Sequence, residues 1–132
     1  MRYLVLPMLV TALLGSTATA RPPRDLDKET VISFAAGGGL RDWQPGPTGS
    51  NIVYVRDRTL NWYRVTLTGP CARDRALDTL TYTTDPNGTF DRFSRVSVAR
   101  FPNQICGVTS IRTSAPPAGW PGGPRSHPRP AG

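Results

Sequence analysis

Histidine and lysine are almost missing from this chain: His127 is the only one of its kind, and Lys28 is the only lysine beside fifteen arginines. Nucleophilic catalysis by a Ser/His/Asp set needs a base held beside its nucleophile. The single histidine lies in Ser126-His127-Pro128-Arg129, inside a Pro/Gly-rich tail, so the sequence nominates no catalytic residue of this class. The same scarcity, with only two cysteines and no C-x-x-C, removes a transition-metal site and leaves no cofactor to assign. Two cysteines also exclude a disulfide-dense miniprotein. Gly37-Gly38-Gly39 is followed by Leu40-Arg41-Asp42 rather than Gly-Lys-Ser/Thr, so it is not a phosphate loop. No sustained 3.6-residue apolar period occurs, which argues against coiled coils and helical bundles.

Long apolar runs are absent as well. The longest, Leu4 to Leu14, has eleven mostly apolar residues; as a helix it would rise about 16 Å, half the hydrocarbon thickness of a bilayer. It follows Met1-Arg2-Tyr3 and precedes Gly15-Ser16-Thr17-Ala18-Thr19-Ala20. A basic start, a short apolar stretch and small residues before a break predict a secretory signal peptide over residues 1–20, cleaved after Ala20. The mature chain then has no transmembrane segment and is expected to be periplasmic or secreted. In an oxidising compartment an even cysteine count implies pairing, and two cysteines allow one bridge, Cys71 to Cys106.

What is present is arginine, glycine and proline. The chain has 132 residues, 13 Gly, 14 Pro and a formal net charge of +7, a size that suits one small domain. Period-2 patterns dominate after residue 29. Strands are expected at residues 30–34, 51–56, 60–68, 77–84, 94–100 and 105–111, with Asp57-Arg58-Thr59 as a hairpin connection and Asp85-Pro86-Asn87-Gly88 as a tight turn. Residues 35–50 read as a loop anchored by Trp43, and residues 71–76 have room for one short helix. The fold class is therefore mainly β: a single small antiparallel sheet, sandwich or partly open barrel of about six short strands. Residues 21–27 read as a flexible mature N-terminus, 28–113 as the β-rich domain, and 114–132, with six prolines and four glycines, as a disordered tail. Of the charge, +4 falls on residues 28–113, from eleven basic and seven acidic groups.

Tyr63-Arg64-Val65-Thr66-Leu67-Thr68-Gly69-Pro70-Cys71, then Leu77 to Tyr82, Phe93 to Val98 and Ile105-Cys106-Gly107-Val108, form a recognisable series. It resembles a family of small exported proteins of Gram-negative bacteria known only as a domain of unknown function. The resemblance spans roughly residues 30–112 and implies an exported β-rich domain with Cys71 bonded to Cys106. It brings no activity and no site residues.

Three functional readings follow. The leading one is a non-enzymatic binding or interaction module, because Arg56, Arg58, Trp62 and Arg64 lie on one expected hairpin beside Tyr54 and Tyr63. Arginine interleaved with aromatic rings suits polyanions and stacked rings. The partner would be an anionic envelope component or another periplasmic protein; no specific nucleic acid is indicated, since no single element concentrates the arginines. The second is a small carboxylate-dependent hydrolase using Asp57 with Asp91, or Asp74 with Asp78. The third is an envelope or inhibitor protein acting through an exposed strand edge. Mass spectrometry of the exported protein under alkylation without reductant is expected to show no free thiol; two alkylated cysteines would overturn the pairing.

Overall fold

The structure is a computed structural model that describes Tyr3 and residues 24–72 and 79–124. The signal segment with Ala20, the helix expected near 71–76 beyond Ala72, Asp74, Asp78 and His127 lie outside those residues. Among the described residues there are six strands: β1 (Leu40–Pro45), β2 (Ile52–Asp57), β3 (Trp62–Leu67), β4 (Leu80–Tyr82), β5 (Arg95–Val98) and β6 (Phe101–Ser114). All pair antiparallel in the order β1-β2-β3-β6-β5-β4. Among the described residues no helix is long and apolar enough to cross a membrane.

Two three-stranded meanders, β1-β2-β3 and β4-β5-β6, are joined where β3 meets β6. β2 and β3 alternate as their sequences dictate. Val53, Val55 and Asp57 point inward with Tyr63, Val65 and Leu67, while Tyr54, Arg56, Trp62 and Arg64 share the outer face. The sheet curls until its outermost strands approach each other. Leu40 donates its backbone N–H to the Tyr82 hydroxyl (3.1 Å), which donates to the Ala35 carbonyl (2.6 Å), so the two edges are fastened through one side chain. Inside lie Ile32, Phe90, Ile111, Val53, Val55, Val65 and Val96, each at most 1% exposed. The class is mainly β, as the period-2 pattern implies, and of the arrangements that pattern leaves open the structure is a single antiparallel sheet curled into a nearly closed barrel.

Strand membership differs from the sequence reading in two places. Residues 30–34 form no strand. Glu29, just before them, and Ile32 make isolated bridges, to Arg112 and Phe90, before Phe34 turns the chain at φ +56°. The segment serves two partners in succession and so never builds a ladder with either. Residues 40–45, expected in a loop, are β1. A bulge between Leu40 and Asp42 puts Leu40, Trp43 and Pro45 opposite the inward residues Asp57, Val55 and Val53. The inward spacing is three and then two, which hides the alternation. Pro102-Asn103-Gln104, expected as a turn, lies within β6. Register there passes from Val98↔Phe101 to Val96↔Cys106, leaving residues 102–105 as an exposed bulge started by a proline that cannot donate to the ladder. The expected turn at residues 85–88 is present: the Gly88 N–H donates to the Asp85 carbonyl, and Gly88 adopts φ +81°.

Both flanks of the domain are engaged. Asp27 and Thr30 donate backbone N–H groups to Thr113 and Ile111 of β6, and the Thr113 hydroxyl donates to the Asp25 carbonyl. Residues 115–124, the start of the expected disordered tail, make two turns (Trp120 N–H to the Pro117 carbonyl, Gly123 N–H to the Trp120 carbonyl) and pack on the sheet. Residues 125–132 lie outside the description.

Cys71, just beyond β3, is bonded to Cys106 of β6, with Cα atoms 5.9 Å apart and 35 positions between them in sequence. Closing a loop of that size removes about 3 to 4 kcal/mol of unfolded-chain entropy. Replacing both residues (Cys71→Ala with Cys106→Ala) is expected to lower the urea midpoint by a destabilisation of about 3 kcal/mol. Equilibrium unfolding followed by tryptophan fluorescence measures it.

Candidate binding wall and rim

The four arginine and tryptophan positions singled out by the sequence divide between two surfaces. Arg56, Trp62 and Arg64 lie on the outer wall of β2 and β3; Arg58 lies at the rim, in the connection between them. The hairpin explains the split. Its strands present alternate residues outward, whereas residues 58–61 turn over the end of the sheet.

On the wall, charge is largely matched. Arg56 is paired with Asp42 across β1 and β2, its Nε donating to Oδ2 at 2.6 Å. Arg64 donates to Asp27 (2.5 Å), and Arg112 lies 3.9 Å from the same carboxylate. Rings fill the space between. Trp120 meets Trp62 edge-on at 5.0 Å, and the Arg56 guanidinium sits 5.0 Å from the Trp120 ring and 5.8 Å from that of Trp62. Trp62 is thereby only 3% exposed although it faces outward. Arg24 donates to the Trp62 carbonyl (2.8 Å), its guanidinium 4.5 Å above the Tyr63 ring. Beside this cluster a cleft of about 370 Å³ opens between the sheet and residues 115–124, lined by Gln44, Pro45, Tyr54, Pro116 and Pro117 among others.

The rim is organised by Asp57. Its Oδ1 accepts from the Thr59 N–H (2.9 Å), the Thr59 hydroxyl (2.7 Å) and the Asn61 N–H (3.0 Å), and its Oδ2 accepts from the Tyr63 hydroxyl (3.0 Å). Four donors account for a carboxylate buried at 7% exposure. They also hold the loop that carries Leu60 at φ +66°, where a γ-branched side chain is rare, and Leu60 is 59% exposed. Arg58 reaches from this loop to the neighbouring one: Nε donates to the Phe34 carbonyl (3.1 Å), and one terminal nitrogen to the carbonyls of Ala36 (2.9 Å) and Gly37 (3.1 Å). Phe34, also left-handed, is 78% exposed. An open cleft of about 350 Å³ lies among Phe34, Ala36, Arg58, Asn87 and Gly88. Among the described residues Arg58 has no carboxylate partner.

The aspartates offered for hydrolysis are occupied otherwise. Asp57 caps the hairpin as described, and Asp91 accepts from the Phe93 N–H (2.9 Å) while its own N–H donates to the Ser94 hydroxyl, forming a separate turn. Neither lines either cleft. Among the described residues no group of three or more His, Cys, Asp or Glu side chains is placed to hold a metal ion. Sequence reasoning did not anticipate Trp120, Phe34 or Leu60. The available signal for Trp120 was one large aromatic alone among prolines and glycines; exposed apolar residues in left-handed backbone carry no comparable mark.

Burial, then the hydrogen bond to Asp57 and that carboxylate's charge, push the Tyr63 hydroxyl up to about 12, against a smaller opposing pull from Arg24. From pH 10 to 12 the unfolded chain loses this proton while the folded chain keeps it, so stability falls as pH rises through that window. Tyr63→Phe is expected to cost about 1 to 2 kcal/mol at pH 7, because Asp57 loses a donor. It should also flatten the decline of the denaturation midpoint between pH 10 and 12; a decline as steep as that of the native chain would assign it elsewhere.

Comparison with protein-family models, with curated proteins and with solved structures finds no match.

Proposed function

We propose that the protein is an exported, non-enzymatic binding module whose rim docks on the phosphate-bearing lipid surface of the cell envelope. Export is supported by the leader pattern of residues 1–20 and fits a domain closed by the Cys71–Cys106 bond. The observation that carries the docking reading is the pairing of Phe34 and Leu60. Both are large, apolar and exposed, and both occupy left-handed backbone in loops tied together by Arg58. Each such conformation costs a non-glycine residue about 1 kcal/mol. Neither residue recovers that cost by packing inside the protein, since both side chains lie mostly in water.

Chemistry around the two side chains favours an anionic surface over a neutral one. Arg58 and Arg41 have no carboxylate partner among the described residues, and Arg41 directly follows Leu40, which pairs with Asp57 at the same end of the sheet. Apolar side chains that enter the interface, flanked by guanidinium groups at headgroup level, are the two components of reversible membrane-surface binding. The wall offers less electrostatic attraction, because Arg56 and Arg64 already face Asp42 and Asp27.

Sedimentation with phosphatidylglycerol vesicles tests the reading, with phosphatidylcholine vesicles as reference. Binding is expected to the anionic vesicles alone and to weaken between 50 and 300 mM salt. Leu60→Gly relieves the left-handed strain and removes the apolar tip together. It is expected to raise the melting temperature by roughly 4 °C while weakening vesicle binding several-fold. Equal binding to both vesicle types, or unchanged binding by Leu60→Gly, would overturn it.

A further inference from the structure

We propose that the outer wall formed by Tyr54, Arg56 and Trp62 is a docking groove for proline- and tryptophan-bearing peptide segments of other proteins, held shut in cis by the chain's own residues 115–124. The proposal rests on different residues from the rim and stands or falls separately.

The first support is the occupant already seated there. Residues 115–124 read Ala-Pro-Pro-Ala-Gly-Trp-Pro-Gly-Gly-Pro. They form a compact strap: a Cβ at Gly123 would lie 2.1 Å from the Pro117 carbonyl oxygen, so the two turns close tightly around a position that admits only glycine. The strap presents one large side chain to the sheet, Trp120, which meets Trp62 at 5.0 Å with Arg56 alongside. Proline-rich segments commonly dock on aromatic-lined surfaces, because their stiffness reduces the entropy lost on binding. Tyr54, Trp62 and the Arg56 guanidinium supply such a surface, and Asp42 fixes the guanidinium in place.

The second support is that the strap is held to the wall by packing and not by hydrogen bonds. Among the described residues the hydrogen bonds of residues 115–124 stay within residues 114–124, the Ser114 hydroxyl at the end of β6 donating to the neighbouring Ala115 carbonyl (2.7 Å); the strap is held to the wall by packing, through the Trp120 ring on Trp62 and the buried Pro117. The third is incomplete filling. The cleft of about 370 Å³ remains between Tyr54 and Gln44 on the sheet and Pro116 and Pro117 on the strap. A segment that had this wall as its only permanent partner would be expected to fill it. The strap covers Trp62 and leaves the neighbouring ground open, as a displaceable occupant does.

The test uses the full oxidised chain and a synthetic peptide with the sequence of residues 114–124, titrated by calorimetry. Trp120→Ala disables the cis occupant without altering the wall, and is expected to bind the peptide at least about tenfold more tightly than the native chain. Pro117→Gly, which loosens the turn that aims Trp120, should give a smaller gain, and it supports the same conclusion if Trp120→Ala does not fold. Adding Trp62→Phe or Tyr54→Ala to the Trp120→Ala chain should weaken binding, as should replacing the peptide's tryptophan by alanine. Peptide binding that is absent, no tighter in Trp120→Ala and Pro117→Gly than in the native chain, or unaffected by the wall substitutions would overturn the proposal. So would light scattering that shows the native chain dimeric and Trp120→Ala monomeric, which would make a second copy's strap the occupant.

Discussion

Strand β6 has fourteen residues, and no neighbour in this small domain is long enough to satisfy one whole side of it. Buried backbone groups must be hydrogen-bonded, so the strand is shared. β3 covers residues 108–114 on one side, while on the other β5 takes residues 101–107 and the incoming segment pairs with residues 111–113. This division makes one sheet out of two meanders and pins Asp27 to Thr30 against the domain. Near the changeover, the Thr68 N–H donates to the Gly107 carbonyl and the Gly107 N–H donates to the Thr68 hydroxyl, both at 3.0 Å. The disulfide joins Cys106, next in sequence, to the chain leaving β3. The covalent link therefore lies where the two meanders would otherwise part.

Closure has consequences at the rim. Once β1 and β4 are drawn together through Tyr82, the Phe34–Gly39 connection has to pass close to the β2–β3 hairpin, and Arg58 fills the junction by donating to three carbonyls. A guanidinium with rigid, divergent donors suits that task better than an ammonium would. Asp57 performs the matching service on the hairpin side, with three bonds that hold the loop in the geometry Leu60 strains against. Charge-assisted hydrogen bonds of this kind exceed the cost of one left-handed residue, so the rim can keep the strained tip without losing the hairpin.

How far the sequence could be read depends on whether a segment serves one partner or two. β2 and β3 pair with each other in unbroken register, and the alternation of β3 puts Tyr63, Val65 and Leu67 on the inward face, whereas Asp57, read as part of the hairpin connection, proves to be the last inward residue of β2. β1 escapes because the bulge at Arg41 separates Leu40 from Trp43 by three. β6 is legible only from residue 105 onward, because Pro102 and the bulge after it resemble a turn. At the site, the strand pattern puts Trp62 and Arg64 on one face of β3, and the β2–β3 register adds Arg56 of the neighbouring strand to it. Arg58 falls outside it, since a hairpin connection has no face to assign. The tail is the harder case. Composition counts six prolines and four glycines over residues 114–132 and reads as disorder; the contact of Trp120 with Trp62, at the start of that segment, depends on one ring reaching another, which an averaged count does not register.

Wall and rim differ in what holds them, and that difference separates the roles proposed for them. Every element at the rim is fixed by directional bonds: four on Asp57, three from Arg58, two on the Tyr82 hydroxyl. Directional bonds specify one geometry, so Phe34 and Leu60 are presented without further ordering cost, as suits a broad, shallow partner such as a lipid surface. The strap over the wall is attached through ring contacts, which are less directional and can be exchanged for equivalent contacts from another chain. A cover built this way can leave without disturbing the sheet beneath, because Arg56 keeps Asp42 and β3 keeps both its neighbours when Trp120 is gone. The fold thus places a fixed surface and a covered one on the same hairpin, and the distinction follows from Asp57 ending the alternation of β2.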